Sequence, residues 1–122
     1  MILSNNMDFV DVFEKKLSRY TGFKYAICTD CCTNAILICC ELKHRLNKLD
    51  KVEAISIPKF TYMSIPMTLK NNGWKFNFIN DCWYGKYMLG SNSQIYDAAT
   101  DLHENMVDEY KCCHDPLVCI SF

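Results

Sequence analysis

The sequence has little glycine or proline, four and three in 122 residues, and it contains no internal repeat, low-complexity stretch or linker. That excludes a collagen-like rod and a disordered tail. Long hydrophobic runs are also missing: the longest, such as Ala35-Ile36-Leu37-Ile38-Cys39-Cys40, fall far short of the ~20 residues that cross a bilayer, so no membrane partner is expected. The opening Met1-Ile2-Leu3-Ser4-Asn5-Asn6 lacks the basic, apolar and cleavage regions of a signal peptide, which makes a cytoplasmic location the expectation. Charge of one sign is absent too. Thirteen Lys and Arg stand against fourteen Asp and Glu, and the basic residues come in ones and twos with no stripe, so nucleic acid is not an expected partner. What remains is a chain half hydrophobic and 22% charged, the composition and length of about one globular domain.

Cysteine is the residue in excess, with nine copies. An odd count, the missing export signal and the placement of Cys39 and Cys40 inside a helical pattern argue against a disulfide framework. Most of the nine read as small buried hydrophobes in a reducing compartment. The alternative is zinc, for which four ligands could come from Cys28-x-x-Cys31 and Cys112-Cys113-His114, although adjacent cysteines are poor ligand spacing.

Residues 8–20 place Phe9, Val10, Phe13, Leu17 and Tyr20 at helical spacing, with Asp8 as N-cap and Gly22 just beyond the end. Tyr25-Ala26-Ile27-Cys28 reads as a short buried strand. From Cys32 onward Ala35, Ile36, Leu37, Cys39, Cys40, Leu42 and Leu46 make a helix that is apolar over much of its circumference. Then 54–58 reads as a strand, 62–70 as a helix closed by Asn71-Asn72-Gly73, and 74–79 as a strand with clean alternation. Farther on, 84–89 suggests an edge strand, 93–96 a strand ending at Asp97, and 117–122 a last buried strand. Alternating strands and helices predict an α/β fold with a largely parallel sheet.

In such a sheet ligands gather at the carboxyl ends of strands, where helix N-termini present free amides. Three segments meet that description. Thr29-Asp30-Cys31-Cys32-Thr33-Asn34 joins a strand to a helix and could hold a phosphate, or Thr33 or Asp30 could simply cap the helix. Pro58-Lys59-Phe60-Thr61-Tyr62 brings an aromatic ring to the same edge, or only packs there. Ile95-Tyr96-Asp97-Ala98-Ala99 sets a carboxylate past an apolar strand, where a buried Asp needs a partner and an N-cap is the plain alternative.

The order of these segments resembles the pyridoxal-phosphate-dependent nucleotide-sugar aminotransferases of the DegT/DnrJ/StrS type. Phe13 to Ala26 is similar to the lead-in "F-E-x-x-h-A-x-Y-x-G-x-K-Y-A", and Thr29 to Ile36 falls on the phosphate loop "T-S-S-G-T-x-A-L". Ile55 to Tyr62 is similar to "V-I-x-P-x-F-T-F", Ile95 to Ala99 to "I-E-D-A-A", and Cys119 to Phe122 to "C-F-S-F". The resemblance implies part of a type I pyridoxal-phosphate transferase large domain, a mostly parallel sheet flanked by helices, with 1–122 as a truncated N-terminal part. It implies pyridoxal phosphate as cofactor, with Thr33 and the loop amides on the phosphate. Tyr62 would stack on the ring, Asp97 would face the ring nitrogen, and Ser121 would help bind the phosphate. Cys32 stands where the family has a glycine that brings the backbone close to the phosphate, which could require positive φ. Thr100 stands where a Gln or His flanks the ring hydroxyl.

The family's Schiff-base lysine follows the last block, and the sequence ends at Phe122; Lys59 and Lys111 do not fall on that position. Three readings follow. The first is an N-terminal half that contributes to transamination of a keto-sugar nucleotide when a complementing C-terminal chain supplies the lysine, with a homodimer partner as the other possible companion. The second is a remnant or binding module that holds pyridoxal phosphate or a sugar nucleotide without chemistry. The third is the zinc-binding domain. Under the first reading the chain by itself is expected to associate, because strands 95–97 and 117–122 would lack their covering elements.

Overall fold

A computed structural model describes residues 9–122, so the N-cap assigned to Asp8 lies outside the described residues. The described residues divide into two compact units, 9–28 with 102–112 and 29–101 with 113–122.

The smaller unit holds α1 (Phe9–Thr21) and a 3-10 helix, Met106–Tyr110, which the sequence pattern did not announce. α1 ends where expected. Gly22 takes φ of 80° and its N–H returns to the Ser18 carbonyl at 2.9 Å, the left-handed cap that glycine adopts without strain. Asn105 N–H donates to the Tyr20 carbonyl at 2.8 Å, and the Phe23 and Tyr110 rings meet with centroids 5.7 Å apart. The apolar stripe of α1 is largely exposed, Phe9 most of all.

The strand expected at Tyr25–Cys28 does not form. The segment has no regular secondary structure and belongs to no ladder, Tyr25 and Ile27 are exposed, and Cys28 N–H donates to Glu14 Oε1 at 2.7 Å. A strand is stabilised by a neighbour that accepts its hydrogen bonds, and this unit has no other strand among the described residues.

The larger unit carries the core: Ile36 and Cys40 from α2, Ile55 and Ile57, Ile65 and Leu69, Trp74, Tyr87, Leu89, Ile95 and Cys119. Its elements are α2 (Cys32–Arg45), β1 (Ile55–Pro58), α3 (Ser64–Asn71), β2 (Phe76–Ile79), β3 (Tyr87–Met88), β4 (Ile95–Asp97) and β5 (Leu117–Cys119). β1, α3 and β2 form a strand-helix-strand unit with parallel pairing from Ile55↔Phe76 to Pro58↔Ile79. β4 and β5 are also parallel, with Asp97 opposite Cys119.

The α/β class therefore holds, while the mostly parallel sheet is found only in part. The strands form a two-stranded parallel sheet and a three-stranded mixed one, order β3-β4-β5, with β3 antiparallel to β4. Chain length accounts for this, since a parallel return takes a crossover of a dozen or more residues and only the short stretch after Met88 separates β3 from β4. A bond from Gly90 N–H to the Ser56 carbonyl at 2.8 Å ties the second sheet to β1. α2 packs on β4 and β5, and α3 on α2 and β2.

Burial corrects the reading of the cysteines. Cys40 and Cys119 are buried, Cys32, Cys39 and Cys113 are partly so, and Cys28, Cys31, Cys82 and Cys112 are exposed; all nine are free thiols.

Candidate functional site

β1 and β4 belong to different sheets, and the segments that leave their carboxyl ends line one cleft of about 380 Å³. Phe60, Thr61 and Tyr62 come from the end of β1, Asp97, Ala99 and Thr100 from the end of β4, and Trp83 closes it. Three sequence-predicted residues, Tyr62, Asp97 and Thr100, are thus brought together. Tyr62 is largely exposed, an open ring face at the mouth. Thr100 Oγ1 donates to the Gly85 carbonyl at 3.2 Å.

Asp97 is the buried polar group of the cleft, only 7% exposed. Its Oδ1 accepts the Ala99 N–H at 3.1 Å, which turns the chain back beneath the carboxylate. Tyr87 stands directly opposite Asp97 in the antiparallel ladder, and its phenol bonds to Thr61 Oγ1 at 2.5 Å. Burial raises the Tyr87 pKa well above the usual phenol range, and the adjacent Asp97 carboxylate raises it further, so the phenol stays a donor. Among the described residues no basic side chain forms an ion pair with Asp97. A buried carboxylate so placed favours a ligand that offers a positively charged or N–H group.

The N-terminus of α2, whose Cys32 and Thr33 do not line the cleft, carries a partial positive charge. Cys31 occupies the cap position in extended conformation without a side-chain bond to the first turn. Asp30 is turned to Asn34 Nδ2, at 2.8 and 2.9 Å from its two oxygens, and Thr33 Oγ1 lies 2.6 Å from Ser64 Oγ at the start of α3. Neither capping alternative weighed for this loop is therefore realised, and the N-terminal amides of a fourteen-residue helix are left without a side-chain cap. Cys32 takes no positive φ, and its side chain packs against the core. Burial first, and the nearby Asp97 carboxylate second, push its thiol up to about 12, which keeps Cys32 neutral at ordinary pH.

Ser121 stands apart from this set. It is exposed, two residues past the Cys119 that pairs with Asp97, and does not line the cleft. No lysine lines the cleft either. The zinc reading gains no support in the larger unit, where Cys31, Cys113 and His114 form no three-ligand cluster and Cys113 Sγ instead meets the Tyr96 hydroxyl at 3.2 Å.

Three side chains were not foreseen: Ser64, Trp83 and Tyr87. A serine opening the helix after Phe60-Thr61-Tyr62 was a signal available in the sequence. Tyr87 acts only through a cross-strand partner and leaves no local signal.

Residues 3–81 match the model of the DegT/DnrJ/EryC1/StrS aminotransferase family. That range spans more than half of the chain and holds Cys32, Thr33 and Tyr62, whereas Asp97, Thr100 and Ser121 lie beyond it. No curated protein and no solved structure matches the chain.

Proposed function

The chain belongs to the DegT/DnrJ/EryC1/StrS aminotransferase family, and on that premise we propose that its larger unit is a half-site for pyridoxal phosphate. The observation that carries the proposal is the buried Asp97 carboxylate sharing a cleft with the open ring of Tyr62. Asp97, held by Ala99 N–H and flanked by the Tyr87 phenol, would accept a hydrogen bond from the protonated pyridine nitrogen and keep that nitrogen protonated. Tyr62 would cover one ring face, Thr100 would sit beside the ring hydroxyl, and the α2 amides with Thr33 would take the phosphate, whereas Ser121 stays exposed outside the cleft.

Bound there, the cofactor supplies a carbonyl carbon and an electron sink for amino-group transfer. What this chain does is bind, orient and hold a proton at the ring nitrogen. The amine that would anchor the cofactor covalently has no candidate among the cleft residues, so a lysine from a further segment or a complementing chain completes the site. A keto-sugar nucleotide is the proposed amino acceptor.

Trp83 reports on occupancy, because it lines the cleft whereas Trp74 lies in the core. Titration with pyridoxal phosphate is expected to quench fluorescence saturably, and Asp97→Ala to weaken binding at least tenfold, about 1.4 kcal/mol. Borohydride treatment of the chain alone is expected to fix no cofactor to a lysine of the cleft segments. Unsaturable quenching, or equal affinity in Asp97→Ala, overturns the assignment.

A further inference from the structure

The α2 helix and β5 bring two cysteines into contact far from each other in sequence. Cys39 Sγ lies 3.7 Å from Cys119 Sγ, with Cys39 partly exposed and Cys119 only 4% exposed. Neither thiol lines the cofactor cleft. A disulfide bond is about 2.05 Å long, so these two sulfurs, already in van der Waals contact, have only a short approach left to make.

The two thiols are not equivalent. The contact with the Cys119 thiol, and the Lys43 ammonium one turn along α2, lower the Cys39 pKa despite its burial. The same contact, burial and the negative charges of an ionised Cys39 and of Asp97 hold Cys119 protonated. Lys43 is itself buried and anchored, its Nζ donating to the Asp115 carbonyl at 3.0 Å. An accessible sulfur that ionises first, backed by a buried thiol, is the arrangement of an attacking and a resolving cysteine.

We propose that Cys39 and Cys119 form a reversible oxidation site, closing an intrachain disulfide between α2 and β5 when the chain meets a low-molecular-weight disulfide such as oxidised glutathione. The Cys39 thiolate attacks one glutathione sulfur, forms a mixed disulfide and expels one glutathione thiolate. Cys119 gives its proton to that thiolate or to solvent, attacks the Cys39 sulfur and expels the second glutathione. Two electrons pass from the cysteines to the oxidant, which leaves as two thiols. Once Cys39 is in the mixed disulfide its charge no longer opposes ionisation of Cys119, so the first step eases the second. The bridge fixes β5, the strand that leads to Ser121, to the helix whose first turn carries Thr33. The inference rests on the thiol geometry and not on cofactor binding.

The test is a redox titration of the full chain in native buffer with mixtures of oxidised and reduced glutathione, followed by alkylation, intact mass and a non-reducing digest. The expected result is two fewer alkyl groups than on the reduced, unfolded and alkylated chain and one linked peptide pair joining Cys39 to Cys119, reversed by dithiothreitol. It should form at a lower oxidant ratio than any modification of the exposed Cys28, Cys31, Cys82 and Cys112. Cys119→Ser should instead accumulate glutathione on Cys39. In the wild-type chain, a persistent glutathione adduct on Cys39, continued alkylation of both residues, or linked peptides among the exposed cysteines in equal yield would each overturn the proposal. The wild-type map stands even if the variant fails to fold.

Discussion

Asp97 shows what one residue obtains from its neighbours. It is a carboxylate kept out of water by its place at the end of β4, with a backbone N–H below it and a phenol beside it. Tyr87→Phe removes that phenol, leaves Thr61 without its partner and lets the carboxylate reorient. We expect a cost of about 1 kcal/mol in urea unfolding and a several-fold loss of pyridoxal phosphate affinity, smaller than that of Asp97→Ala. A full loss of stability with unchanged affinity would assign Tyr87 to the core alone. Ionisation of the buried thiols makes a separate prediction. Burial pushes Cys40 up to about 12 from 9.0, and Cys32 likewise. Between those values the unfolded chain releases thiol protons that the folded chain retains, so stability is intact below pH 9 and falls as pH rises toward 12. The slope is at most about 1.4 kcal/mol per pH unit for each fully buried thiol, and less for the half-buried Cys32. Urea midpoints measured on either side of pH 9 should fall more steeply in the wild-type chain than in Cys40→Ala. At this scale Tyr62, Asp97 and Thr100 were legible because each ends or follows an apolar run, whereas Tyr87 and Ser64 were not, since their partners are distant in sequence.

Among the elements, those whose stabilising contacts are encoded in their own period could be read directly. Ile36 and Cys40 on α2 are buried as their spacing predicts, whereas Leu42 and Leu46 of the same pattern are exposed and the buried Lys43 was not read as part of it, and the strand read over 74–79 forms at Phe76–Ile79 beside β1. Tyr25–Cys28 has strand composition and no partner, and composition alone cannot supply the second half of a ladder. The 3-10 helix at Met106–Tyr110 is too short to display a period. Glycine at the end of α1 gives the element-scale prediction. Gly22 at φ 80° has Val107 Cγ1 2.6 Å from where a Cβ would stand, while Gly73 at φ 77° has nothing within 4 Å. Gly73→Ala should therefore cost only backbone strain, about 1 kcal/mol. Gly22→Ala should cost roughly 2–3 kcal/mol, since a contact that short forces Val107 to move. Hydrogen exchange of the α1 and Asn105 amides would register the difference, and equal protection in the two variants would sink this account of the α1 cap.

For the whole molecule, the apolar side chains left in water matter most. Phe78 and Ile79 are exposed on β2, the outer strand of the parallel sheet among the described residues, and Phe60, Tyr62, Met63 and Met67 are exposed on the segment from the end of β1 into α3. A strand edge with unpaired amides and apolar side chains is a template for another chain. Neither this exposure nor the division into two units could be read from composition, because a hydrophobic residue looks the same in sequence whether or not its partner is present. We expect the chain to self-associate, giving a light-scattering mass above the 14.2 kDa of one copy and rising with concentration. Phe78→Lys should shift that mass toward the monomer, by placing charge on the strand without touching the cleft residues. If association instead reflects the need for a complementing chain, adding that chain should suppress self-association and strengthen cofactor binding together, because both would depend on the same missing surface. A monodisperse monomer at all concentrations, with the exposed strand intact, would show that this surface needs no cover and would remove the physical argument for a partner.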